Sequence, residues 1–241
     1  MTSTPYPDDA AVGLDERWHA FFYSLCQVHE VPGLPAGLAL PVLSTNGLWY
    51  DDAFATADAS SQFTVFQLVD GRLTFSGDPR LFRGHAAIAA FRAQLEADWV
   101  QHEAQYLAAT TAEQLLSSAT MPALPAAETG LDAGYYFETF RSFRYVRAQF
   151  RRTGRFRSIN AWLRGWKEEP GAFFLPASHP DFRAAHEEAL VNQEYVLPGF
   201  DLPRLQPVGL APASPYFTDG NSTLVYFDSA QQRLVQVNQY S

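Results

Sequence analysis

Hydrophobic positions recur at helical spacing in several stretches of the chain. Leu14, Trp18, Phe21, Phe22, Leu25 and Val28 predict an amphipathic helix over 14–30, ended by Pro32, Gly33 and Pro35. Ile88, Phe91, Leu95, Trp99 and Leu107 predict a longer one over 85–107, entered through Asp78-Pro79 and Gly84. Ser178-His179-Pro180-Asp181 opens a third helix that runs to about Gln193, and 111–118 is compatible with a short extra one. Apolar runs rich in β-formers give strands instead. Residues 62–69 and 72–75 flank Asp70-Gly71, a dipeptide suited to the positive φ angles of a tight hairpin turn. Residues 223–227 and 233–237 flank a second turn at 228–232.

The segment 135–166 is ambiguous. Tyr136, Phe140, Phe143 and Phe150 fit one side of a helix, yet 144–151 and 155–163 also read as strands joined through Arg152-Thr153-Gly154. Its aromatic content and Gly154 favour the hairpin. The expected fold class is therefore α+β: one or two antiparallel sheets built from hairpins at 62–75, 144–163 and 223–237, with about three helices packed on them. Residues 1–13 read as a flexible tail and 14–241 as one globular unit, with a Pro/Ala-rich stretch at 120–133 as a weak subdivision.

Charge changes this picture most. The chain of 241 residues carries 17 basic and 26 acidic residues, a net −9. Nine of the bases, eight Arg and Lys167, lie between Arg141 and Lys167, where there is no acid; the remainder sets eight bases against all 26 acids. Guanidinium groups bind phosphate and carboxylate through paired hydrogen bonds, and aromatic rings stack on bases. Arg144, Arg147, Arg151, Arg155 and Arg157 are thus the candidate binding residues, for an acidic protein surface or another anionic partner. The alternative is that the basic segment lies against the acidic rest of the molecule, and the acid excess favours that. Nucleic acid is disfavoured by the overall charge.

Other chemistry is thinly marked. Cys26 is the only cysteine and, beside Leu25, reads as a buried inert thiol. No apolar run reaches the length that crosses a bilayer, and no secretion signal opens the chain; both point to a cytoplasmic protein without a membrane partner. Gly-x-Ser-x-Gly and the phosphate-loop motifs are absent, and no cofactor is implied. The pairs His29-Glu30, His102-Glu103 and His186-Glu187 do not extend to His-Glu-x-x-His, so no metal site is expected. Asp51-Asp52 after Trp49-Tyr50, and Asp219-Gly220-Asn221, place acids in loops, the first pair beside aromatics, a combination that can hold a sugar or a cation; a solvated loop and a turn are the plain readings.

The segment 217–228, Phe-Thr-Asp-Gly-Asn-Ser-Thr-Leu-Val-Tyr-Phe-Asp, is similar to the end of SMI1/KNR4-type immunity domains. The opening pattern of such domains, Leu-Pro followed by a helix and Asn-Gly-Gly, is not reproduced: Leu40-Pro41 leads to Asn46-Gly47-Leu48, so the likeness assigns no family. The leading expectation is a non-catalytic cytoplasmic binding protein that engages another macromolecule through charge complementarity, with an immunity- or antitoxin-like role as one form of it. Two alternatives stand beside it. One is a hydrolase with a non-contiguous site tested first at His102, Glu103, Asp51 and Asp52. The other is an RNA or nucleotide binder using 141–167.

Overall fold

A computed structural model describes residues 1–8, 12–117, 121–122, 130–163 and 172–239. The fold is α+β, with two antiparallel sheets and six helices among the described residues. The smaller sheet has the order β1-β2-β3, formed by Thr2–Pro5, Tyr23–His29 and Ala39–Ser44. The larger has the order β5-β4-β9-β8-β7-β6, formed by β4 (Phe63–Val69), β5 (Arg72–Thr74), β6 (Leu175–Pro176), β7 (Gln206–Ala211), β8 (Ser222–Asp228) and β9 (Arg233–Gln239). The helices are α1 (His85–Leu107), α2 (Ala112–Ser117), α3 (Ala133–Thr153), α4 (Ile159–Trp162), α5 (Pro180–Val191) and α6 (Gln193–Val196).

The hairpins at 62–75 and 223–237 form as expected. Asp70 (φ +51°) and Gly71 (φ +76°) both take positive φ, as a primed two-residue turn requires. The six-stranded sheet is buried on both faces because its strands carry apolar residues of both parities. Phe66, Val225, Phe227 and Leu234 face the core shared with α1, α3 and the small sheet. Phe63, Leu224, Tyr226, Val235 and Val237 face a second core under α5, with Phe182, Ala189 and Leu197. Gln236 links the sheets: its Oε1 accepts from the Leu43 N–H (2.9 Å) and its Nε2 donates to the Leu43 carbonyl (3.0 Å). This satisfies backbone groups on the open edge of β3.

Three expectations are corrected. The helix over 14–30 is absent: Glu16–Trp18 is one 3-10 turn and 23–29 is the central strand β2. Tyr23 to Cys26 and Val28 are all buried, so β2 is covered on both faces. Its apolar run then imitates helical spacing. The hairpin over 144–163 is a helix followed by a short one, α3 and α4. Asp132 caps α3 by accepting from the Tyr135 N–H (3.0 Å), and Gly154, read as a strand turn, ends it in the left-handed conformation (φ +66°). Residues 2–5 are not a loose end; they pair with Cys26–His29 as β1, and Tyr6 beyond them is buried. Met121–Gly130 and the Arg164–Lys167 end of the basic segment fall largely outside the described residues.

Candidate functional site

Five segments converge on a cleft of about 900 Å³: the connection between β3 and β4, the start of α3, the α5–α6 corner, the loop before β8 and the end of β9. Each brings aromatic, acidic or amide side chains. Trp49, Tyr50, Asp52, Ser61 and Gln62 come from the first; Tyr135 from α3; Glu188, Asn192 and Tyr195 from the corner; Asp219 and Asn221 from the loop; Asn238 from β9. No Lys, Arg, His or Cys is among the described residues that line it.

The walls are held by hydrogen bonds between these segments. Asp52 accepts from the Ser61 N–H (2.7 Å) and Oγ–H (2.6 Å). Asn238 Nδ2 donates to the Ser61 carbonyl (2.8 Å) and to the Tyr50 hydroxyl (3.1 Å), which also bonds to Thr45 Oγ1. The Asn46 carboxamide oxygen accepts from the Asn221 N–H (3.0 Å), and a side chain at Gly220 would collide with the same amide. The Trp49 indole donates to Asp132 (3.2 Å) and its ring lies 5.5 Å from that of Tyr135. Trp49 and Tyr195 remain 54 % and 71 % exposed at the rim.

Burial pushes the Tyr50 phenol up to about 12, against hydrogen bonds from Thr45 and Asn238 that pull it down. Tyr135 is also raised, by burial first; the Gly47 N–H offsets part of this, and the charges of Asp219 and Asp132 add to it. Both phenols therefore stay neutral at physiological pH. Glu188 and Asp219 are exposed and pair with no base among the described residues. The cleft thus presents uncompensated negative charge framed by aromatic faces.

The arginines go elsewhere. Arg141 is fully buried, donates to Asp98 (2.6 Å) and to the Tyr106 hydroxyl (2.9 Å), and stacks on Tyr106. Arg144 pairs with Glu96 (3.2 Å) and lies over Trp99. Arg147 donates to the Pro7 carbonyl (3.2 Å) and approaches Asp8, which Arg151 contacts at 2.7 Å. Arg144, Arg147 and Arg151, with Arg152, line a groove of about 380 Å³ against Glu103 and Leu107 of α1. Arg155 is exposed beyond the helix, and Arg157 donates to the Ala161 carbonyl (2.7 Å) and stacks on Trp162.

The four residues offered for a hydrolase are divided. Asp52 lines the cleft and Asp51 caps the 3-10 turn beside it, whereas Glu103 lines the arginine groove and accepts from Trp99. His102 is turned to Asp98 (3.1 Å) on its own helix. Cys26 is buried in β2, its thiol pushed up to about 12 by burial, with a hydrogen bond to Tyr216 pulling the other way. Among the described residues no group of three His, Cys, Asp or Glu could hold a metal ion, and no helix is long and apolar enough to cross a membrane. Tyr135, Glu188, Asn192, Tyr195 and Asn238 escaped the sequence reading.

Comparison of the chain with family models, with curated proteins and with solved structures finds no match.

Proposed function

We propose that this is a non-catalytic binding protein that engages another macromolecule through charge complementarity, with the aromatic and acidic cleft as its docking site and a basic segment of the partner as its occupant. The observation that carries this is the lining of the cleft: Asp52, Glu188 and Asp219 with no base among the described lining residues, beside the exposed rings of Trp49 and Tyr195. Lysine and arginine heads are attracted both to carboxylates and to ring faces. Trp and Tyr are enriched among the residues that carry interface energy.

The sign of the partner follows from where the charges sit. Arg141, Arg144, Arg147 and Arg151 are engaged with Asp98, Glu96 and Asp8, while Glu188 and Asp219 face solvent. Complementarity therefore favours a basic partner over the acidic surface that the arginine content suggested. An immunity or antitoxin role is one form of this reading. A hydrolase is less well supported, because among the described residues no His or Cys lines the cleft beside its acids and both oxygens of Asp52 accept from Ser61.

Capture of partners from the protein's own cells at low salt, followed by titration of the captured partner's basic segment as a synthetic peptide, tests the reading. Trp49→Ala is expected to weaken peptide binding by about 30-fold, the effect of losing a hot-spot aromatic. The pair Glu188→Gln and Asp219→Asn, both exposed, is expected to weaken it by about tenfold. Recovery of no partner, or binding indifferent to these substitutions, overturns it.

A further inference from the structure

A second feature, independent of the cleft, is the arginine groove between α1 and α3. Positions 144, 147, 151 and 152 are spaced three, seven and eight apart, so they share one stripe of α3. With Glu103, Leu107 and Ala148 they enclose about 380 Å³, and Arg152 also borders an adjoining depression of about 370 Å³ with Ala104 and Ala108.

Counter-charge here is shared. Glu96 serves both Arg92 (3.1 Å) and Arg144 (3.2 Å). Asp8 serves both Arg151 (2.7 Å) and Arg147 (3.7 Å). Arg152 is satisfied by a neutral group, the Gln149 side-chain oxygen (2.6 Å), and the buried Nε of Arg144 has no hydrogen-bond partner among the described residues. Burial pushes the Arg144 guanidinium pKa down; Glu96 offsets part of this, and the like charges of Arg92 and Arg151 add to it. An oxyanion is what such a set of guanidiniums recognises. Asp8 holds the place one would take: its side chain is 78 % exposed, and its carboxylate is the oxyanion on Arg151. An exposed pair of this kind contributes little, so a doubly charged oxyanion with paired guanidinium contacts can displace it.

We infer that the groove lined by Arg144, Arg147, Arg151 and Arg152 binds a phosphomonoester group, which takes the position of the Asp8 carboxylate on Arg151. The volume suits one phosphate-bearing small molecule. The chain's net −9 disfavours a polyanionic strand.

Titration of the full chain with inorganic phosphate and with adenosine monophosphate, at ionic strength matched with sodium chloride and followed by calorimetry and phosphorus NMR, tests this. One-to-one binding of at least one of the two is expected. A preference for the nucleotide would identify the source as an organic ester, and equal affinity would identify free phosphate as sufficient. Arg152→Gln, at an exposed position, is expected to weaken binding about tenfold, and Asp8→Asn, which removes the internal competitor, to tighten it severalfold. Arg151→Gln is expected to act like Arg152→Gln; should it fail to fold, the Arg152 and Asp8 variants still decide the matter. Absence of binding by both probes, weaker binding in Asp8→Asn, or tighter binding of single-stranded RNA than of the monophosphate overturns the inference.

Discussion

Arg141 shows how the basic segment is used from within. Its side chain is fully buried, sandwiched between the rings of Tyr106 (3.8 Å) and Phe137 (4.8 Å), with one nitrogen on Asp98. Asp98 also accepts from Tyr106 (2.8 Å) and faces His102, so α1 and α3 meet through one carboxylate. A buried cation left without its partner costs far more than an exposed pair contributes. Asp98→Ala is therefore expected to lower unfolding free energy by about 3 kcal/mol, read from urea denaturation. Glu96→Ala, which removes a partly exposed carboxylate, is expected to cost about 1 kcal/mol or less. Equal costs at the two positions would contradict this division between structural and peripheral arginine pairs.

Elements differ in how plainly the sequence declares them, and the difference follows burial. Helix α1 alternates Ile88, Phe91, Leu95 and Trp99 with exposed positions, so its period is legible. The hairpins at 63–74 and 222–239 carry their own turn chemistry in Asp70-Gly71 and in Asp228, whose carboxylate accepts from Ala230, Gln231 and Arg233. Strand β2 and helix α3 are covered on several sides. In α3 the polar side chains of Thr139, Arg141, Ser142, Arg147 and Gln149 are buried along with Tyr136, Phe140, Phe143, Tyr145 and Val146, so residue type alone does not report which side faces the core. The candidate site was legible only in pieces: Trp49-Tyr50-Asp51-Asp52 and Asp219-Gly220-Asn221 stood out separately, but their meeting with Tyr135 and Tyr195 is tertiary. Gly154 is the residue whose backbone conformation ends α3. Its left-handed φ has open space around the Cβ position, so Gly154→Ala is expected to cost about 1 kcal/mol from backbone strain alone. Gly154→Asn, more tolerant of that conformation, is expected to cost less, measured by thermal or urea unfolding.

At the scale of the whole molecule, the described charges divide between covered arginines that meet carboxylates and a cleft lined by acids without a base. The guanidiniums of Arg141, Arg144 and Arg147 are largely covered and face Asp98, Glu96 and Asp8, while Asp52, Glu188 and Asp219 concentrate around one cleft. Repulsion among exposed like charges destabilises a compact chain and is screened by salt, whose Debye length falls from about 30 Å at 0.01 M to about 8 Å at 0.15 M. The pair between Arg141 and Asp98 is shielded from solvent on the arginine side and is screened less. Sodium chloride raised over this range is therefore expected to increase the melting temperature while weakening the capture of a basic peptide by the cleft. The two slopes have opposite sign because the same exterior charge opposes folding and attracts the partner. A melting temperature that falls with salt would mean that exposed ion pairs outweigh the acid excess, and peptide binding insensitive to salt would remove the electrostatic basis of the cleft's recognition.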